Sequence, residues 1–328
     1  MDNKKKASFL TSEFYLAMFL AAILVILAIF AKGFYNLNNI MSLLNTYSYT
    51  LIAAIGMNMI ILTSNIDVST GSLISVVCLT IAAIGKTGAP LGVLLPVAMI
   101  VGAILSTLNA LLVTKLRIPA IVATLATTQI FQGSLQLCVD GSIYDLPASY
   151  TWLAFDAKLF GFVPASVLIC LIVTIFALIF MKYSKFSKKI YAIGNNKTSA
   201  RLTGINVDKT VILTYAIAGV LFGISATIIG TAGQRVTTTM GSGLEMTFIA
   251  AVVLGGTSSA GGSGKVIGTV IGAFILSLIS PAINYIGISP DWADAIKGAI
   301  IIVSVVASAA KNFKKKRVIS VSAVGGEA

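Results

Sequence analysis

Long apolar runs separated by short polar connections constrain this chain more than any other feature. A bilayer core takes about 20 consecutive, mostly apolar residues per spanning helix. Segments of that kind recur at approximately 14–31, 43–64, 70–85, 91–114, 119–138, 162–181, 211–232, 245–258, 265–286 and 292–310. The third and eighth are the shortest, and LNNIMSLLN at 37–45 is read as interfacial chain ahead of the second. Of the 328 residues 57% are hydrophobic and only 10% charged, and the charges are bunched between the apolar runs. Backbone inside hydrocarbon must satisfy its own hydrogen bonds. The expectation is therefore an all-α integral membrane protein, with about ten transmembrane helices in a compact bundle.

Lysine and arginine orient such a bundle, because short cytoplasmic loops retain positive charge. With both termini cytoplasmic, 18 of the 23 basic residues fall inside, seven of them between Lys182 and Lys209 and five between Lys311 and Arg317. The outer side keeps Lys32, Lys86, Lys158 and Arg235, and Lys297 falls in the last span. This divides the chain into a cytoplasmic amino terminus (1–13), a membrane domain (14–310) with a long inner loop at about 182–210, and a basic tail (311–328). MDNKKK before the first apolar run resembles a signal peptide, but the run is too long and no A-x-A site follows, so it is read as a helix that stays attached. The longest outer loop, VDGSIYDLPASYTWLAFDAKLFG, is rich in aromatic residues. Interfacial anchoring and docking of an external partner are both open readings for it.

Several function classes are excluded. The net charge of +12 is divided among separate loops and forms no single nucleic-acid-binding face. The chain has no histidine, and Cys78, Cys138 and Cys170 lie singly among apolar residues, so no zinc site is expected. GGTSSAGGSGKV invites comparison with a phosphate-binding loop, but Ser259 stands where the first glycine is needed and Val266 where the magnesium-binding hydroxyl is needed. No catalytic constellation is visible.

Small residues at four-residue intervals let helix backbones approach closely. Gly264, Gly268 and Gly272 form one such series, Gly102, Ser106 and Ala110 a second, and Gly219 with Gly223 a third. Two polar interruptions look alike, TSNIDVSTGS at 63–72 and GGTSSAGGSGK at 255–265. Paired breaks of this kind often mark helix ends around transport pathways, and chance similarity of two Gly/Ser turns is the other reading. Asp67, Gly71, Ser72, Gly255, Gly256, Gly261 and Gly262 are accordingly candidate gating residues.

Thr124, Thr128, Gln132 and Gln136 recur every fourth residue, with Gln129 at the edge, and the stripe is expected to face the bundle interior. With Asn58 and Asn109 they are candidates for the translocation pathway, or for interhelical hydrogen bonding alone. Asp67, Glu245 and Lys297 fall near predicted span ends, and Asp294 is at pair spacing from Lys297. The lack of a midspan charge favours a neutral, hydroxyl-rich cargo over ion coupling.

The inner-loop stretch YAIGNNKTSARLTGINVDKT reads as a short capped helix. Asn195 or Asn196 caps it, Lys197 to Thr203 supply two turns, and Gly204 ends it in the left-handed conformation. Such a helix is too short to stand alone and must pack against something. Ala200 is small enough for close seating, while Leu202 and Ile205 offer apolar contact. A solvated loop that only enforces topology and a knob inserted into a cytoplasmic partner are the two readings.

These residues resemble a family. Gly194, Asn196, Ser199, Ala200, Gly204, Ile205 and Val207 match the coupling loop of the ribose, xylose, galactose and autoinducer-2 branch of ABC importer permeases, with Ser199 in place of the commoner alanine. SNIDVSTGS is similar to that family's G-x-D-L-S-V-G-S signature, with Asn65 and Thr70 as departures, and FIAAVVLGGTSSAGGSGKVIGTVIGAF is similar to a third family stretch. The resemblance implies a multi-pass permease of the bacterial inner membrane that imports a monosaccharide or similar neutral solute by alternating access. It implies two separate ABC ATPase subunits carrying ATP and Mg, an external substrate-binding protein, and a second permease subunit, identical or related. No cofactor is expected on this chain, and its partners besides these are membrane lipid and no nucleic acid. Gly194, Asn196, Ser199, Ala200, Gly204 and Ile205 are then the coupling residues. The alternative is an ion-coupled secondary transporter using Asp67 or Glu245.

Overall fold

The computed structural model describes residues 3–31, 33–139, 144–145, 147, 158–159, 163–232, 235–287, 289, 292–300, 302–303 and 306. Most of the aromatic segment at 139–161, the end of the tenth predicted span at 307–310 and all of the tail at 311–328 lie outside them. Within them run α1 (Asn3–Phe30), α2 (Leu37–Leu62), α3 (Thr70–Gly85), α4 (Leu91–Thr114), α5 (Ala120–Cys138), α6 (Ala165–Tyr183), α7 (Lys185–Asn195), α8 (Lys197–Leu202), α9 (Val207–Thr231), α10 (Leu244–Leu254) and α11 (Val266–Ile286). Short strands β1 (Tyr144–Asp145), β2 (Lys158–Leu159), β3 (Val163–Pro164) and β4 (Arg235–Val236) interrupt the connections.

Nine of the ten predicted apolar segments coincide with a helix, and 292–300 is helical within the tenth. Among the described residues five helices are long and apolar enough to cross a membrane, namely α2, α4, α6, α9 and α11; Leu16–Ile29, α3 and α10 are shorter apolar helices. Two boundaries differ from expectation. Residues 37–45 form the first turns of α2 itself, begun by the Asn36 side chain accepting from the Asn38 N–H. At the other terminus α1 starts at Asn3, so residues 3–13 extend the first helix.

The middle of the bundle is α2 and α9, each buried along most of its length. Lipid offers helices no hydrophobic reason to associate, so close packing and interhelical hydrogen bonds must hold them. The small-residue series supply that packing. Gly102 and Ser106 of α4 lie directly against Gly219 and Gly223 of α9, and a methyl group added at Gly219 would collide with the Gly102 carbonyl oxygen. The two helices run antiparallel, Gly102 opposite Gly219 and Ala98 opposite Gly223. Gly268 and Gly272 of α11 meet Gly255 and Ala251 at the end of α10 in the same way. Between the remaining helices, the Ser225 hydroxyl donates to the Tyr49 carbonyl at 2.9 Å, and the Cys78 thiol to the Ala226 carbonyl at 3.3 Å.

The connections sort to two ends. At one, β1 pairs antiparallel with β4, Tyr144 opposite Val236 and Asp145 opposite Arg235, which ties the chain after α5 to the chain after α9. At the other lie α7, α8 and the α2–α3 and α10–α11 connections, linked by the contacts described next.

Candidate functional site

The candidate site grows from the α7–α8 segment. The Ser184 hydroxyl accepts from the Phe186 and Ser187 N–H groups and starts α7 immediately after α6. Ile190 and Ile193 bury one face of α7 and the lysines stay on the other. A new helix begins at once, because the Asn196 side chain accepts from the Ser199 N–H at 2.9 Å. The end of α8 is a Schellman arrangement, with Ile205 N–H donating to Ala200 O at 3.1 Å, Gly204 N–H donating to Arg201 O at 3.0 Å, and Gly204 at φ +80°. Of the two candidate caps, Asn196 is therefore the one used for α8, and Asn195 belongs to the end of α7.

Asn195 has a different task. Its side-chain amide donates to Tyr191 O at 2.9 Å and to Gly262 O at 3.3 Å. The Tyr191 hydroxyl donates to Gly264 O at 2.9 Å, and burial pushes this phenol above its ordinary pKa, keeping it a donor. The Ser64 hydroxyl lies 3.1 Å from Gly194 O and 2.8 Å from Ala260 O, sharing its proton between them. The Gly262 N–H donates to Leu62 O at 3.1 Å. Ser64 holds a left-handed backbone, φ 60°, which an ordinary residue adopts only when its surroundings fix it. A side chain on Gly194 would run into Leu62 O and the Gly262 N–H, so only glycine permits this approach. The result is a three-way joint of the end of α2, the turn before α11 and the end of α7.

Three of the polar residues singled out within the spans, Asn58, Asn109 and Thr124, secure the two loops of this joint. The Thr257 hydroxyl donates to Asn58 Oδ1 at 3.0 Å, which ties the 255–265 loop to the C-terminal part of α2. Asn109 Nδ2 donates to Ser69 Oγ at 2.6 Å, and Thr124 Oγ accepts from the Val68 N–H at 3.1 Å, which tie the 63–69 loop to α4 and α5. Asp67 accepts from the Ser69 N–H at 2.9 Å and the Ser69 hydroxyl at 2.6 Å. It is wholly buried within the protein, where the sequence suggested only a span end. Ser72 donates to Ser69 O at 2.8 Å in the first turn of α3, and Gly71 packs against Gly241 and Glu245. Gly255 and Gly256 close α10, and Gly261 packs on Ser64.

Three expectations change. The α5 stripe does not stay inside: Thr124 is buried, Thr128 and Gln132 are half-buried, and Gln129 and Gln136 are exposed. A four-residue step advances about 40° per repeat around a helix of 3.6 residues per turn. The buried face is instead Ala123, Thr124, Thr127, Phe131 and Leu135. Ala200, expected to seat against a partner, is 3% exposed against its own chain, whereas Leu202 is 85% exposed at the tip of α8. Sequence reasoning missed α7 with Ser64 and Tyr191. The spacing of Phe186, Ile190 and Ile193 signals the helix, but nothing local marks the other two residues. Arg201, Leu202's neighbour, pairs with Asp208 at 3.6 Å, and Asp294 pairs with Lys297 at 3.2 Å as the spacing suggested.

A polytopic helical bundle whose polar interior residues brace two broken connections against a short capped peg has the construction of a membrane transport protein. The comparisons give the family. The chain belongs to the family described as "Branched-chain amino acid transport system / permease component", which it matches over residues 36–305. Its relatives include the ribose import permease protein RbsC of Escherichia coli, 34% identical over 87% of this chain and 91% of that one. RbsC of Bacillus subtilis is 30% identical over 89% and 90%. The autoinducer 2 import system permease protein LsrC of Yersinia enterocolitica is 35% identical over 86% and 79%. No solved structure matches the chain.

Proposed function

We propose that this chain is the transmembrane permease subunit of an ATP-binding-cassette importer, and that it moves a monosaccharide or similar neutral polar solute inward by alternating access. The family description names branched-chain amino acids, but the relatives are named for ribose and autoinducer 2 and are similar over most of both chains, which favours the sugar-like cargo. Nothing in those names supports the ion-coupled reading.

The observation that carries the mechanism is the joint. α8 presents Leu202 outward, α7 carries α8, and the end of α7 is hydrogen-bonded to both broken connections of the bundle. A push on α8 is thereby delivered to the 63–69 and 255–265 loops without passing through flexible chain. The bracing residues Asn58, Asp67 and Asn109 each keep one buried polar atom without a partner among the described residues. Such atoms cost about 1–3 kcal/mol each, and a loop that shifts under load is positioned to re-pair them. In this reading Gly194, Asn196, Ser199, Gly204 and Ile205 shape the lever, Ala200 locks it to its own chain, and Gly71, Ser72, Gly255, Gly256, Gly261 and Gly262 belong to the loops it drives. Thr128 and Gln132 remain the pathway candidates on α5.

Ten spans with both termini cytoplasmic complete the reading, since the α7–α8 end carries Lys185, Lys188, Lys189, Lys197, Arg201, Lys209 and Lys265. ATP and Mg then belong to two separate cassette subunits seated under α8, and a second permease subunit and an external binding protein to the working assembly. Leu202→Asp tests the core of this. The exposed position leaves the bundle intact, so the variant is expected in the membrane at the usual level but without co-purifying ATPase and without ATP-driven uptake. Normal ATPase recovery and uptake would overturn the lever.

A further inference from the structure

Beside the joint, a cleft of about 590 Å³ opens between the last turns of α6, the Tyr191 side of α7 and the start of α11. Its two cations are Lys182 and Lys265, its two rings Tyr183 and Tyr191, and the rest of its lining is hydrocarbon, including Ile179 and Ile267. The apolar wall continues along α6, where Ile172, Ile175, Phe176 and Ile179 are exposed in a row. A soluble sugar would find few hydrogen-bonding groups in such a slot. Lysines and tyrosines above an exposed aliphatic row match the layering of a lipid headgroup over its acyl chains.

We propose that this cleft binds one anionic glycerophospholipid, with its phosphate at Lys182 and Lys265 and an acyl chain along Ile179 and Ile267. The bland alternative is two lysines whose stems merely reach past lipid to water. The cleft favours the site because both lysines line one slot, and because the slot abuts the lever. Tyr191 in its wall donates to Gly264 O, next to Lys265. A lipid held there braces α7 against α11 at the point where load crosses from lever to loop. The proposal rests on the reading above only for which leaflet supplies the lipid.

The full complex is placed in nanodiscs of phosphatidylcholine containing photoactivatable phosphatidylglycerol, and the labelled peptides are mapped. Adducts are expected in 178–183 and 265–267, displaced by unlabelled phosphatidylglycerol and not by phosphatidylcholine. Lys182→Gln and Lys265→Gln should each weaken cleft labelling about fivefold, and the double Lys→Arg variant should retain it. Labelling spread evenly over the exposed faces of α4 and α6, or equal displacement by both lipids, would overturn the site, as would a cross-link showing another protein subunit in the cleft. The competition arm uses the unsubstituted chain, so it decides the matter even if a variant fails to insert. Neither arm reads transport or ATP hydrolysis, so a negative result leaves the import reading standing.

Discussion

Gly194 shows how one atom governs a route for force. Its missing Cβ is the space into which the Leu62 carbonyl and the Gly262 N–H fit, so Gly194→Ala must separate α7 from both loops. ATP hydrolysis by the assembled complex should persist while uptake falls by about tenfold or more, the size expected when a catalytic coupling is misplaced by an ångström. Equal loss of both activities would place the residue in assembly instead. Ser69→Ala is a milder case, since it removes the acceptor for Asn109 Nδ2 and the donor to Asp67 together. Leaving Asn109 Nδ2 unpaired, while Asp67 keeps only the Ser69 N–H, should cost about 1–3 kcal/mol, read as a lower melting temperature in detergent. Ala200 and Leu202 carry the lesson about legibility. The local sequence gave the capped helix and its left-handed stop, because capping is decided within about six residues. Which side of that helix faces inward depended on α9 and on the turn at Ile205, and so was not legible.

At the scale of elements, the small-residue series were legible as seams, and the structure adds which seam meets which. α4 and α9 press their glycines together, whereas Gly133 on α5 has nothing within 4 Å of where its Cβ would lie. Gly219→Ala should therefore destabilise the bundle by about 1–3 kcal/mol through overpacking. Gly133→Ala should be neutral or slightly stabilising, as expected for glycine in a helix interior. Thermal unfolding of the two variants side by side distinguishes a seam from mere helix propensity. The polar stripe of α5 was misplaced because a four-residue repeat drifts around the helix, and because Gln129 and Gln136 emerge on its exposed face. α7 was hidden within a basic loop: its lysines advertise topology, and its buried face is only Ser187, Ile190 and Ile193.

For the whole molecule, the alternation of helix directions and the gathering of basic residues at the α7–α8 end give a definite orientation to test. With Cys138→Ser removing the exposed native thiol and Cys78 and Cys170 buried, single cysteines at Thr87 and Thr198 report opposite faces. A membrane-impermeant thiol reagent should label Thr87→Cys in intact cells and Thr198→Cys only in inverted vesicles; the reverse pattern would invert the bundle. The sequence by itself determined that the chain is a helical membrane protein, where its long apolar helices lie and which small residues make them pack, because bilayer thickness and helical period act on contiguous residues. It also carried the family, through motifs that are short and local. Only the tertiary structure decided that Ser64, Gly194 and Gly262 share one joint and that Asn58, Asn109 and Thr124 brace its loops. Those contacts join residues separated by up to about 200 positions, and hydrogen bonds of that reach leave no period or spacing in the chain that makes them.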